Sequence, residues 1–208
     1  MESWFMDKMT AILASPTSIA ALAALMIFIF ALLRVKKITL TTRMITHIGL
    51  ALALAAVLHA VRIYHLPQGG SITLGSMIPI LLIALYYGAE VGYLTGFLYG
   101  MINLIQDPFI LHPVQVLFDY PLPFMALGLA GYFKERMMLG TTIAVFGRFI
   151  CHFLSGVVFF ASYAPPGMSP YLYSLVFNGS YLVPELVICL LIMRVLPVKR
   201  LEMTIHHQ

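Results

Sequence analysis

The stretch RFICHFLSGVVFFASYAPPGMSPYLYSLVFNGSYLVPE, Arg148 to Glu185, decides how the rest of the chain is read. Its first half places His152, Gly156 and Phe160 at i, i+4 and i+8, so on a helix an imidazole, a gap and a ring share one face. Ala164, Pro165, Pro166 and Gly167 then force a turn. Ser169 and Pro170 restart a helix, a capping residue followed by proline at the first helical position. The second helix carries Tyr173, Asn178, Tyr181 and Glu185, polar groups that a purely lipid-facing helix does not hold. The spacing therefore predicts two apolar helices that bring polar and aromatic side chains to one end.

Composition sets the solvent. Of the 208 residues 61% are hydrophobic and only 10% charged, far from the average of soluble domains. This is the composition of an all-α integral membrane protein. The net charge of +4 sits in short clusters at the ends of apolar runs, as topology determinants do. No basic stripe runs along a helix, so nucleic acid is not an expected partner. Cys151 and Cys189 both lie inside apolar segments and read as buried thiols. Neither disulfide nor metal-ligand spacing is present, and no cofactor motif occurs.

Outward from the opening stretch, seven spans are expected. Thr17–Leu33 is the first, a retained helix rather than a signal peptide, because Arg34, Lys36 and Lys37 follow it instead of a cleavage site. The others run at about 46–63, 76–87 (interrupted by Pro79), 91–105, 114–133, 140–163 and 170–196. Gly92, Gly96 and Gly100 repeat at i, i+4 and i+8 and predict a tightly packed face. Gly49, Ala51, Ala53 and Ala55 form small-residue pairs that fit either internal packing or docking of a separate membrane subunit. YHLPQGGSITLG is a non-helical loop, a connector or a lid in which Gln68 stands. Arg34, Lys36, Lys37, Arg43, Lys134, Arg136, Lys199 and Arg200 all fall on one side, expected to be cytoplasmic, with the amino terminus outside and the carboxyl terminus inside. The loops at 65–74, 106–113 and 164–169 then face outward. Arg62 is the one exception.

Asp119, in HPVQVLFDYP, is a carboxylate inside an apolar helix, where a charge costs about 2.5–3.5 kcal/mol and so calls for a partner or a ligand. A pair with Arg148 is one reading. The other is a counter-ion for a cationic ligand, assisted by Phe109, Tyr120, Phe159, Phe160 and Tyr173, whose faces attract cations. His152 is a packed histidine, a proton carrier or a ligand-stacking ring, and Gly156 beside it leaves room for something flat. Asn178 offers both a donor and an acceptor, which suits the edge of an aminopyrimidine. Arg148 and Glu185 read as structural polar glue. His152, Ser155 and Asp119 do not make a hydrolytic triad, since no nucleophile elbow frames the serine. An intramembrane enzyme is a distant alternative, and no catalytic residue is assigned.

The blocks LPQGGSITLGSMIPI, HPVQVLFDYP and RFICHFLSGVVFFASYAPPGMSPYLYSLVFNGSY resemble the thiamine-specific substrate-binding (S) components of energy-coupling factor transporters, the ThiT or YuaJ family. The resemblance covers about residues 44–196 and implies a six-helix S-component bundle. Residues 1–43 are then an added amino-terminal helix with a basic linker, and 44–208 the substrate-binding domain. It further implies capture of thiamine at the outer face of a bacterial cell membrane, under the first long loop. The implied partners are a transmembrane coupling protein and two ATPase subunits. Carried over by position, the site comprises Asp119, Tyr120, His152, Gly156, Phe160, Tyr173 and Asn178, with Gln68, Phe109 and Tyr163 as lid or wall. In these roles Asp119 meets the thiazolium, His152 and Phe160 sandwich the pyrimidine, and Asn178 and Tyr173 bond its polar edge. Gly49, Ala51, Ala53 and Ala55 would form the docking face for the coupling protein. Some family members carry glutamate in place of Asp119 and tryptophan in place of Phe160. An S component for a thiamine precursor or another vitamin is the alternative reading.

Overall fold

The computed structural model describes residues 38–196. The expected first span at 17–33, the bulk of the added amino-terminal region, and the basic residues Arg34, Lys36, Lys37, Lys199 and Arg200 lie outside them. Within them the chain is predominantly helical: α1 (Thr42–Ala60), α2 (Ile78–Tyr87), α3 (Ala89–Gln106), α4 (Pro113–Asp119), α5 (Pro121–Ala126), α6 (Met137–Phe159) and α7 (Pro170–Val195). A 3-10 segment, Leu127–Arg136, joins α5 to α6, and a single 3-10 turn, Ala161–Tyr163, follows α6. Among the described residues, three stretches are long and apolar enough to cross a membrane. They are Thr42–Ala60, Pro113–Phe159 and Pro170–Val195, with mean hydropathies of 1.5, 1.7 and 1.9. This is an integral membrane fold.

Helix α2 shows how the sequence sets the layers. IPILLIALYY has no polar face, so it must be covered all round. Ile80, Leu81 and Ala84 are fully buried at the centre of the molecule, against Ala55 of α1, Tyr99 of α3, Phe124 and Leu127. Pro79 does not interrupt this helix. It lies in the first turn, where its missing N–H costs nothing. Gly88, at φ +106°, supplies the sharp corner that folds α3 back on α2.

The glycine row of α3 packs as expected. A Cβ on Gly96 would overlap the carbonyl of Phe124, and one on Gly100 would lie 2.6 Å from the carbonyl oxygen of Tyr120. Glycine therefore lets two backbones touch where no hydrophobic force drives helices together.

The expected fifth span is not one helix. Pro121 and Pro123 cannot donate to the preceding turn, so the backbone breaks at Tyr120 (φ −118°, ψ −79°) between α4 and α5. Asp119 is consequently the last residue of a seven-residue helix, not a residue within a long one.

The loop at 62–73 is also more ordered than its Pro-Gln-Gly-Gly suggests. Strands β1 (Arg62–His65) and β2 (Ser71–Thr73) pair antiparallel, with Arg62 opposite Thr73 and His65 opposite Ser71. The turn closes through Leu66 N to Gly70 O at 3.0 Å and Gly69 N to Leu66 O at 3.1 Å. Gly70 has φ +82°, and a Cβ there would sit 2.8 Å from the ring of Tyr181, so glycine is needed twice over.

The small-residue face of α1 divides in two. Ala51 and Ala55 are 7% and 0% exposed, inside the molecule, so they are packing residues and not a docking face. Gly49 and Ala53 point away, and Gly49 has no neighbour within 4 Å of where a Cβ would be. The reason is angular: two residues on a helix lie about 200° apart, so 49/53 and 51/55 cannot share a face.

Candidate functional site

One end of the bundle holds a cavity whose lining comes from the β-hairpin, the loop after α3, and helices α1, α3, α4, α6 and α7. Asp119, Tyr120, His152, Gly156, Phe160, Tyr173 and Asn178 all line it, as do Gln68 and Phe109. Tyr163 does not; it is 39% exposed and leans on the ring of Phe160 at 5.7 Å.

The carboxylate of Asp119 is held on both oxygens. Gln115 donates to Oδ2 at 2.5 Å, and His152 Nδ1 approaches Oδ1 at 3.4 Å. Gln115 is itself fully buried and also donates to the carbonyl of Phe109. The pairing of Asp119 with Arg148 weighed from the sequence does not form. Arg148 instead lies over the ring of Phe124, 4.0 Å from its centroid, and makes no ion pair among the described residues. With Nδ1 turned to the carboxylate, the other ring nitrogen of His152 is buried and has no partner among the described residues. Burial without a hydrogen bond is costly, so this nitrogen is a vacancy for a donor.

Gly156 does not open a slot. A Cβ there would overlap Ser174 Oγ and approach Asn178 Nδ2 at 3.2 Å, so its small size brings α7 close to α6. Ser174 in turn donates to the carbonyl of Phe153 at 2.7 Å. The amide of Asn178 is largely engaged by the protein. Its Nδ2 donates to His152 O, Ser174 O and Ser174 Oγ at 2.9–3.2 Å, and its Oδ1 accepts from Tyr181 at 3.0 Å. What remains toward the cavity is a second lone pair on Oδ1.

Two aromatic residues close one wall. Phe109 stacks on Phe160 at 5.7 Å and 22°. Tyr120 fixes Phe109 in place: its hydroxyl accepts from Phe109 N at 2.6 Å and donates to Asp107 O at 2.8 Å. Tyr173 stacks on Phe177 at 5.6 Å. At the hairpin, Arg62 pairs with Asp107 at 3.2 Å, so the one charge that broke the pattern of sides is neutralised locally.

Several lining residues were not singled out from the sequence, or were read only as glue. Glu185 accepts from the backbone N–H of Thr73, tying the hairpin to α7, and its second oxygen is buried without a partner among the described residues. Arg148 and Glu185 both face the cavity, as do His59, Asn103, Phe177 and Tyr181. A charge inside an apolar span is in itself a functional signal, and that signal was available at positions 148 and 185. His59 and Asn103 announce themselves only once α1 and α3 are side by side.

An apolar helical bundle enclosing one polar, aromatic-walled cavity defines a polytopic membrane protein with an internal small-molecule site. The profile of the family described as Thiamine transporter protein (Thia_YuaJ) matches residues 44–205, and the chain belongs to that family. The thiamine transporter ThiT of Bacillus subtilis (strain 168) is 38% identical, over 62% of this chain and 75% of that protein. ThiT of Lacticaseibacillus paracasei is 29% identical, over 58% and 70%. A solved structure of ThiT from Listeria monocytogenes superposes with a TM-score of 0.68 at 25% identity, over 76% of this chain and 93% of that one.

Proposed function

We propose that this chain is the thiamine-binding S component of an energy-coupling factor importer. It captures thiamine at the outer face of a bacterial cell membrane and delivers it through a transmembrane coupling protein driven by two ATPase subunits. The observation that carries this reading is Asp119, a carboxylate fixed on both oxygens in the wall of an apolar bundle with aromatic rings around it. Such a carboxylate is arranged for a cation, and thiazolium is one. Membership of the thiamine transporter family supports thiamine as that cation.

Within this reading Phe160 and Phe109 bound the ligand from the outer side and Tyr173 flanks it. The unpartnered nitrogen of His152 and the spare lone pair of Asn178 meet the aminopyrimidine, whose amino group donates two hydrogen bonds. In this reading the hairpin, the loop after α3 and the turn after α6 face outward and Lys134 and Arg136 inward, with the amino terminus outside and the carboxyl terminus in the cytoplasm. Gly49 and Ala53 lie on the face offered to the coupling protein.

A calorimetric titration of the detergent-purified protein with thiamine, its phosphates, its pyrimidine moiety and riboflavin tests the ligand. Saturable binding of thiamine, lost in Asp119→Ala and His152→Ala, is expected; absence of thiamine binding would overturn the reading. Reconstitution with a coupling module in liposomes tests the rest, with ATP-dependent accumulation of thiamine as the expected result.

A further inference from the structure

We propose that His59 and Asn103 form a second polar subsite of the cavity, one that holds the hydroxyl group of the ligand. The inference rests on the thiamine reading above. The two residues are 44 apart in the chain, on α1 and α3, yet Asn103 Nδ2 lies 3.0 Å from His59 Nε2. They are 8% and 7% exposed, and both line the cavity.

The hydrogen-bond arithmetic of the pair is incomplete without a third group. An amide nitrogen donates, so His59 Nε2 accepts, and a neutral imidazole then carries its proton on Nδ1. That leaves Nδ1–H as a donor and Asn103 Oδ1 as an acceptor, neither with a protein partner among the described residues. Unlike the second ring nitrogen of His152, they are not sealed away completely. Two buried polar side chains cost stability that an apolar pair would not. One donor beside one acceptor matches a hydroxyl, which accepts and donates at the same oxygen.

The placement is complementary to the rest of the site. Asp119, His152 and Asn178 stand on α4, α6 and α7 and serve the cationic ring and the aminopyrimidine. Thiamine has one further polar feature, the hydroxyethyl arm on its thiazolium ring, and the wall built by α1 and α3 has no other assignment. Arg62 and Asp107 neutralise each other at this end of the cavity, which suits an uncharged group.

The test compares thiamine with the analogue whose hydroxyethyl arm is replaced by ethyl, on wild type, His59→Phe and Asn103→Leu. Wild type is expected to prefer thiamine about tenfold, the value of one well-made hydrogen-bonded contact. Each variant is expected to bind both ligands equally, at the affinity wild type has for the ethyl analogue. His59→Gln, which keeps a donor and an acceptor, is expected to retain a preference. Variants that bind thiamine and still discriminate as wild type does would overturn the subsite. Equal affinity of wild type for both ligands would do the same without any variant, should the apolar replacements fail to fold. Wild type that binds neither ligand overturns the thiamine reading itself, a distinct outcome.

Discussion

The interface of α3 with α5 and the cavity between α4, α6, α7 and the hairpin lie in one small molecule but are built by opposite rules. In the first, Gly96 and Gly100 bring backbones into contact and leave no room for anything else. In the second, glycine again draws helices together at Gly156, but polar atoms of Arg148, His152 and Glu185 are left buried without partners among the described residues. Tight packing without polar groups gives a rigid frame in a solvent that offers no hydrophobic force between helices. Unmet polar groups give a site, because a ligand can satisfy what the protein does not.

The contrast can be broken most severely at Gly96. A valine there drives a side chain into the carbonyl of Phe124, backbone that cannot yield, and should cost about 3 kcal/mol or more. Thermal unfolding of the purified protein checks this, with thiamine affinity falling only as folded protein is lost. Next in size is Asp119→Asn. It should lower affinity for thiamine about 10- to 100-fold, the range expected for a hydrogen-bonded charge, and lower it far less for a neutral isostere. Equal losses for both ligands would remove the counter-ion role. Tyr120→Phe removes the hydroxyl that holds Phe109, about 1 kcal/mol of interaction. Stopped-flow measurement should show thiamine leaving several-fold faster. The smallest effect belongs to Gly49→Leu, where a side chain meets empty space. Stability should stay within about 0.5 kcal/mol and binding should be unchanged, while uptake by the reconstituted importer falls. Unchanged uptake would move the docking face elsewhere.

How far the sequence could be read follows the same division. The helical frame was legible because it rests on period and small-residue spacing: the α3 glycine row and the Ser169–Pro170 start of α7 need only local rules. The lining of the cavity was legible where residues share a helix, as His152 and Gly156 do with Phe160 capping its end, or where a motif resembled a family. Roles were harder to read than positions. Gly156 looked like space and is filled by Ser174; Asn178 looked free and is mostly engaged. Partners 26 to 112 residues away, such as His152 O for Asn178 and Thr73 N for Glu185, leave no trace in spacing. The break at Tyr120 was signalled by Pro121 and Pro123, yet the unbroken run of apolar residues through it reads as one span. The hairpin was hidden because strands of four and three residues are too short to show alternation against a Pro-Gln-Gly-Gly turn.

The stack of Phe109 on Phe160 carries an optical consequence. The chain has a single tryptophan, Trp4, and it lies outside the described residues, so no described residue of the site carries an indole. Phe109 is nevertheless anchored through its own N–H and C=O, by Tyr120 and Gln115, and not through its ring. An indole installed at that position would therefore inherit the anchoring. Its brightness would follow the coming and going of a single ring across the mouth of the cavity, in real time and without a label.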